Sequence, residues 1–487
     1  MTRYTLNLRF VLTLATVTAV AAAAVWFVHR SQAGKQAGLY LARADALERD
    51  GDKPAAVEYL RRYLALRPSD TATRERFGLL LADTATDAEG LFRALLVLDQ
   101  SIRDNPTRRD LRRRAAAVGL FLGPDTRPGA IEHYTALIND AHPDDDVGAY
   151  YGRGNCHELG ENFAAAAVDY REVVRLDPTH AAAAGRLAGL LRGRLAKPDE
   201  ADGVIKRLVE HAPRAAAAQL TAAVYWREVA RAGVPGERPA AERKHAASAA
   251  AALELDPGDP AVVQVAADLS LARCQEATRR HDTAAAEAAA AEAVRVLEQG
   301  IAAARMPPAA TTLEERVEAE RARGRVAKLY QTRAVIALTA GQYDEAERWV
   351  TRGLDVIPDA AGLNGLLVEV YTQAGRLDKA EAQIARLRDL RHPDAAVGYR
   401  QARVHAARGE WLNAVRACEA ALPELTATPD LSREVQYFLA ECFEQVGQPD
   451  RRQAALREAV PADPADPLWV PARAKLADAL LELGRLS

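Results

Sequence analysis

Cysteine, methionine and aromatic residues are scarce in this sequence: 487 residues include four Cys, two Met and five Trp, and aromatic residues make up 6%. The cysteines are dispersed, with no CxxC pair and no nearby His at metal-ligand spacing, so a zinc site is not expected. We interpret all four as small buried residues of a helical core: Cys156, Cys274, Cys418 and Cys442. A disulfide between Cys418 and Cys442 stays open if this part of the chain is exported, because the two fall on neighbouring repeats.

A charge imbalance is also absent. The formal net charge is -3 and charged residues make up 27% of the chain, so the overall balance indicates neither a nucleic-acid partner nor a disordered acidic tail. Alanine and arginine are abundant instead, while β-branched and aromatic residues are sparse and apolar positions recur at regular spacing. This composition predicts an all-helical protein.

Sequence signatures of catalysis are missing as well. The chain contains no GxxxxGK followed by Ser or Thr, no HExxH and no GxSxG. Its histidines stand singly, and isolated carboxylates such as Glu158 and Glu369 form no pattern of an acid–base pair. We therefore predict a protein that is not an enzyme and that has no catalytic residues, cofactor, metal ion or small-molecule substrate.

One long apolar run stands near the N-terminus. Residues 10–28 read FVLTLATVTAVAAAAVWFV without a charge, and at ~1.5 Å per residue a helix of this length matches a hydrocarbon core of ~30 Å. The alternative is a cleaved signal peptide, since residues 19–21 offer a small-x-small site. Apolar residues continue through Val28, which favours an uncleaved anchor. Basic residues flank the run almost equally, and we place the remainder of the chain on the periplasmic side of a bacterial inner membrane.

A repeat becomes visible toward the C-terminus. The segments GQYDEA, GRLDKA and GEWLNA begin at Gly341, Gly375 and Gly409, which are 34 residues apart. Each Gly can end a helix in the left-handed conformation, and the Ala that closes each segment allows close helix approach. Prolines then stop the second helix of many repeats: Pro68, Pro106, Pro178, Pro213, Pro257, Pro358 and Pro464.

This pattern resembles the tetratricopeptide repeat family, which places bulky, small and aromatic residues, an Ala and a Pro at set positions. The segment 149–178 carries it through Tyr150, Gly154, Gly160, Phe163, Ala166, Tyr170 and Pro178. The resemblance extends from Gln36 to the C-terminus in about ten or eleven repeats. It implies an all-α fold: a right-handed superhelical solenoid of antiparallel helix pairs, here with one N-terminal transmembrane helix.

The match lapses in the middle of the chain, where Thr312 and Glu315 form the pattern of a capping box that starts a new long helix. We accordingly divide the sequence into a tail (1–9), a transmembrane helix (10–28), a juxtamembrane linker (29–36), an N-terminal repeat array (37–259), an irregular long-helix segment (260–325), a C-terminal repeat array (326–466) and a capping helix (467–487).

The resemblance also implies that the first helix of each repeat lines a concave groove that holds a protein or peptide ligand. By register the groove-facing residues are Tyr151, Asn155, Arg186, Tyr399, Arg400, Arg403, Tyr437 and Glu441. The Lys/Asn/Lys/Arg clamp of some family members is not recognisable. The basic run 108–114 leaves two interpretations, contact with anionic headgroups or an acidic partner, and a solvated helix start.

We expect a non-catalytic, membrane-anchored scaffold or adaptor that mediates protein–protein interactions in an envelope-associated assembly. The alternative is a regulatory or assembly subunit of an exported-polymer or secretion enzyme complex. A stoichiometric catalytic partner would distinguish the alternative from a purely structural scaffold.

Overall fold

The computed structural model describes residues 8–139, 146–232, 236–308, 310, 312–460 and 474–479. All regular structure in this part of the chain is helical: twenty-two α-helices between residues 8 and 459, one 3-10 turn at Leu422–Leu425, and a short helical stretch at 474–479. The chain divides into two compact units. The first unit is Met1–Leu255 with Pro308–Ala319, and the second is Asp256–Pro307 with Glu320–Ser487.

Twelve helices belong to the first unit: α1 Leu8–Arg49, α2 Lys53–Leu66, α3 Thr71–Thr84, α4 Ala88–Asp104, α5 Arg109–Leu122, α6 Arg127–Asn139, α7 Asp146–Leu159, α8 Phe163–Leu176, α9 Ala181–Gly193, α10 Pro198–His211, α11 Ala216–Arg231 and α12 Arg238–Leu255. The others are α13 Pro260–Arg279, α14 Thr283–Ala303, α15 Leu313–Thr339, α16 Tyr343–Val356, α17 Ala361–Gln373, α18 Leu377–Asp389, α19 Asp394–Ala407, α20 Trp411–Ala421, α21 Pro429–Gln445 and α22 Pro449–Ala459. Residues 313–319 of α15 count with the first unit.

The first helix, α1, is continuous from Leu8 to Arg49. It contains the predicted membrane span (10–28), the predicted linker (29–36) and the first helix of the first repeat. Most of the predicted tail 1–9 lies outside the described residues, as do the side chains of 19–33. In the described part of the chain, no helix is both long enough and apolar enough to cross a membrane. The transmembrane span stays a prediction.

Left-handed residues separate the two helices of a repeat, as the glycine spacing predicts. Gly341, Gly375 and Gly409 have φ angles of 72°, 70° and 80°, and L side chains rarely adopt this conformation. In the repeat of α7 and α8 the left-handed residue is Glu161 (φ 59°) and not the neighbouring Gly160. A polar residue therefore takes the same turn at a modest conformational cost.

Packing within each unit is sequential. The two helices of a pair contact each other, as α7 and α8, α11 and α12, and α19 and α20 do, and alternate helices such as α3 and α5, α9 and α11, and α17 and α19 also touch. Because the connecting turns are only a few residues long, the paired helices run antiparallel. The predicted close-approach alanines are confirmed, since Ala346, Ala380 and Ala414 are each 0% exposed. This nearest-neighbour arrangement is the packing expected of a helical repeat array.

The irregular middle also has the predicted local features. α13, α14 and α15 contain 20, 21 and 27 residues, against 13 or 14 in helices such as α17 and α19. The capping box before α15 is confirmed: Glu315 N donates to Thr312 Oγ1 at 3.2 Å, and Thr312 N donates to Glu315 Oε2 at 3.1 Å. Of the predicted capping helix 467–487, residues 474–479 are described and helical.

The basic run at the start of α5 is engaged by its own chain. Arg108 pairs with Glu75 and, at 2.7 Å, with Asp110, while Arg114 lies 2.9 Å from Asp83. Arg112 donates to the carbonyl of Pro106 at 3.0 Å. These internal contacts favour the interpretation of the run as an ordinary helix start over that of a headgroup-binding or acidic-partner site.

Candidate functional site

A cleft of about 480 Å³ opens in the second unit. Its walls come from α17, α19 and α21, the first helices of three successive pairs, with contributions from the start of α20 and from residues 474–479. We call it the C-terminal cleft. Its lining residues are Thr372, Gln373, Arg403, Ala406, Ala407, Trp411, Phe438, Glu441, Glu444, Gln445 and Lys475.

Ion pairs between neighbouring helices hold the polar walls of the cleft. Arg403 Nη1 lies 3.2 Å from Glu369 Oε1, and Lys475 Nζ lies 2.6 Å from Glu441 Oε1. Burial lowers the pKa of Lys475, but hydrogen bonds to Glu441 and Tyr437 outweigh burial and raise it. The Lys475 ammonium also lies 4.8 Å from the centre of the Tyr437 ring. The walls thus present fixed charges of both signs to a ligand.

Apolar side chains form the floor of the cleft. Ala406 is 8% exposed, and Trp411 and Phe438 are each half-buried. The small alanines leave space beside the two aromatic rings. Apolar and aromatic surface between polar walls is the usual composition of a site for a peptide side chain.

Two of the predicted groove residues, Tyr399 and Arg400, do not line the cleft. Tyr399 is only 7% exposed, its hydroxyl donates to Glu434 Oε1 at 3.1 Å, and its ring meets Phe438 edge-on at 5.8 Å. Arg400 is half-buried, and its guanidinium donates to the carbonyl of Ala396 at 3.0 Å. Tyr399 therefore supports the cleft from inside the core, where a ligand does not reach it.

The structure also brings together the three predicted residues of the first unit. The hydroxyl of Tyr170 lies 2.8 Å from Asn155 Oδ1 and 2.7 Å from Glu158 Oε2, and Arg186 Nη1 donates to the same Glu158 oxygen at 2.8 Å. The Tyr151 ring stands 5.9 Å from the Tyr170 ring. Asn155 and Tyr151 thus contact Tyr170, and Arg186 contacts Glu158, so each already has a partner within the chain.

The sequence analysis did not predict the lining residues Gln373, Ala407 and Lys475, although the repeat period relates them to the predicted Glu441. Gln373, Ala407, Glu441 and Lys475 all line the cleft, and their numbers differ by 34 each time (373, 407, 441, 475). Glu441 was predicted, and positions 34 residues before and after it, together with the position 68 residues before it, identify the other three. Trp411 reaches the cleft from the second helix of its pair, so the register of the first helices does not identify it.

Family comparison identifies the repeats. Two tetratricopeptide repeat profiles match the chain, one at residues 337–404 and one at residues 37–80. The chain contains tetratricopeptide repeats. Repeats of this kind generally act as protein–protein interaction modules, and the C-terminal cleft begins within the 337–404 match. In the described residues, no group of three His, Cys, Asp or Glu side chains could hold a metal ion.

Solved structures of other repeat proteins are similar to the chain. Yeast Tom70 is 14% identical, with 93% of this chain and 97% of that chain covered and a TM-score of 0.41. MamA from Desulfovibrio magneticus RS-1 is 22% identical, with 36% and 94% covered and a TM-score of 0.31. A tetratricopeptide repeat protein from Parabacteroides merdae ATCC 43184 is 16% identical, with 60% and 97% covered and a TM-score of 0.35. Comparison with curated proteins found no match.

Proposed function

We propose that this protein is a non-catalytic scaffold or adaptor that holds a segment of a partner protein in the C-terminal cleft. The observation that carries the proposal is the cleft itself, in which three successive first helices present charged walls around an apolar floor. An extended segment supplies backbone donors and acceptors for the walls and one apolar side chain for the floor.

The dimensions suit a short peptide. Neighbouring helices pack ~8–10 Å apart, so the cleft between α17 and α21 is about 20 Å across. An extended chain advances ~3.3 Å per residue, so a segment of about six residues fits within the cleft. Most of the binding free energy would come from the side chain on the floor, because buried aromatic and apolar contacts dominate such interfaces.

We further propose that residues 10–28 anchor the repeats to a bacterial membrane and that the scaffold serves an envelope-associated assembly. The uncharged apolar run supports this part of the proposal. Confining a scaffold to a membrane raises the effective concentration of the partners it joins. The alternative, a regulatory or assembly subunit of an exported-polymer or secretion enzyme complex, predicts a catalytic protein bound in stoichiometric amount.

The test is a crosslinked pull-down of the full chain from its native cells. One variant carries Arg403→Ala and Glu441→Ala, which remove two partly exposed charges from the cleft without opening a core cavity. The control carries Arg416→Ala and Glu424→Ala, which remove the same two charges at exposed positions outside the cleft. The partner should be retained by the control and lost by the cleft variant.

Equal capture by both variants would place binding elsewhere on the array and contradict the cleft assignment. Capture of a catalytic protein in a one-to-one ratio would favour the alternative role. Membrane anchoring is tested separately, by fractionating cells that express the chain with and without residues 10–28.

A further inference from the structure

Arg400 is the cation next to the C-terminal cleft whose charge has no carboxylate partner. It lies on the same face of α19 as Arg403 and Ala407, because positions three and seven apart share a helix face. Its Nη1 donates to the carbonyl of Ala396 at 3.0 Å and its Nε donates to that of Gly365 at 3.4 Å. Within the described residues Arg400 forms no ion pair, whereas Arg403 and Lys475 each do.

The guanidinium of Arg400 lies against α17 because residue 365 of that helix is a glycine. Gly365 on α17 is buried, and a Cβ added there would collide with the guanidinium of Arg400. Any other residue at position 365 would push the head group away from α17. The side chain is thus held against the helix backbone by two carbonyls and the absence of a Cβ, with further N–H donors left over on its planar fork.

The surrounding carboxylates are already engaged. Glu369 is paired with Arg403, and Glu434 accepts from the hydroxyl of Tyr399. Burial lowers the pKa of Arg400, and the nearby charges of Glu369 and Glu434 only partly oppose this effect. A guanidinium does not deprotonate in a protein, so a desolvated positive charge remains at this edge of the cleft, and an anion is its complement.

We propose that Arg400 binds an acidic side chain of the partner segment, while an apolar side chain of the same segment enters the floor of the cleft. Arg400 and Ala407 are separated by seven helical residues, or about 10 Å along the axis. Three residues of extended chain cover the same distance. The recognised pattern is therefore Asp or Glu placed about three residues from a large apolar residue. This inference rests on the proposed peptide-binding role.

An unbiased peptide library tests the pattern without knowledge of the partner. Full-length protein is immobilised and used to select binders from a phage-displayed library of random twelve-residue peptides. Selection is repeated on Arg400→Gln and on the exposed control Arg416→Gln. It is also repeated on Gly365→Ala, which keeps the charge of Arg400 but places a Cβ where its guanidinium lies. Synthetic peptides from the enriched set are then compared with versions in which the acidic residue is replaced by Gln or Asn.

The wild type and the Arg416→Gln control should enrich an acidic residue three positions from an apolar one. Replacing that acidic residue should weaken binding by about 10- to 100-fold, and the preference should disappear in Arg400→Gln and weaken in Gly365→Ala. Enrichment without an acidic position, or an acidic preference that persists in Arg400→Gln, overturns the inference while the cleft remains a binding site. Failure of the wild type to enrich any peptide refutes the peptide-binding role itself.

Discussion

Replacing Arg153 with alanine should cost the first unit far more stability than an ordinary surface substitution. Arg153 on α7 makes two hydrogen bonds to Asp169 on α8, from Nε to Oδ2 at 3.0 Å and from Nη2 to Oδ1 at 2.7 Å. Asp169 is only 2% exposed. Removing the guanidinium leaves a buried carboxylate without its counter-charge, a change that costs about 3–5 kcal/mol in comparable sites.

Hydrogen exchange measures this loss where it occurs. A repeat array opens locally, so one global unfolding free energy does not describe it. Each 1.36 kcal/mol corresponds to a factor of ten, and the protection factors of amides in α7 and α8 should fall by about two to four powers of ten in Arg153→Ala. Exchange in the second unit should stay unchanged, because its helices do not share this contact.

Two further variants show whether the lost charge pair is the cause. Arg175→Ala removes an exposed arginine from α8 that pairs with Glu172 at position i−3, so its effect on protection should be small. The double variant Arg153→Met with Asp169→Leu removes both charges and should recover most of the protection. Equal effects of Arg153→Ala and Arg175→Ala, or a double variant worse than Arg153→Ala, would refute this reasoning.

Three other predictions concern packing, thiols and pH. Gly300→Val should lower the stability of the hairpin of α13 and α14 by about 1–3 kcal/mol, because an added Cβ meets Val263, and exchange in those helices reports it. Cys274 is partly exposed, so the prediction that all four cysteines are buried is wrong at this position. Iodoacetamide should alkylate Cys274 first, because burial raises the pKa of the buried Cys442 to about 12, and simultaneous labelling of both would contradict this. Burial lowers the pKa of His157 below 6.5. The unfolded chain then takes up the proton first, so α7 and α8 should lose stability as the pH falls through 6.5, and His157→Gln should remove this dependence.

The repeat period made most of the local fold predictable. Gly341, Gly375 and Gly409 mark turns because a left-handed residue is needed wherever two antiparallel helices are joined so tightly. Glu161 takes the same conformation without being glycine, so spacing alone does not identify every turn residue. Residues 10–28 show a different limit, because an apolar helix can be predicted from sequence while its membrane insertion depends on surroundings that the fold does not contain.

The repeat period predicts which positions of the candidate site lie near the cleft, but not how deeply each side chain is buried. Arg403 and Glu441 line the cleft as the period predicts, whereas Tyr399, four positions before Arg403, faces the core. A helix turns 100° per residue, so a small error in facing direction separates a groove residue from a buried one. Contacts such as that of Arg400 with Gly365 join residues 35 apart in sequence, and no local pattern reveals them.

Site-specific photocrosslinking tests the central claim, that the cleft binds a partner protein, most directly. A photoreactive amino acid is placed in the full chain at Gln373 or Gln445, which are exposed in the cleft, and at Arg416 or Glu424, which are exposed outside it. After irradiation in native cells, the cleft positions should both crosslink to one and the same protein, and the outer positions should not. Equal crosslinking from all four positions, or crosslinks from the outer pair alone, would contradict the account.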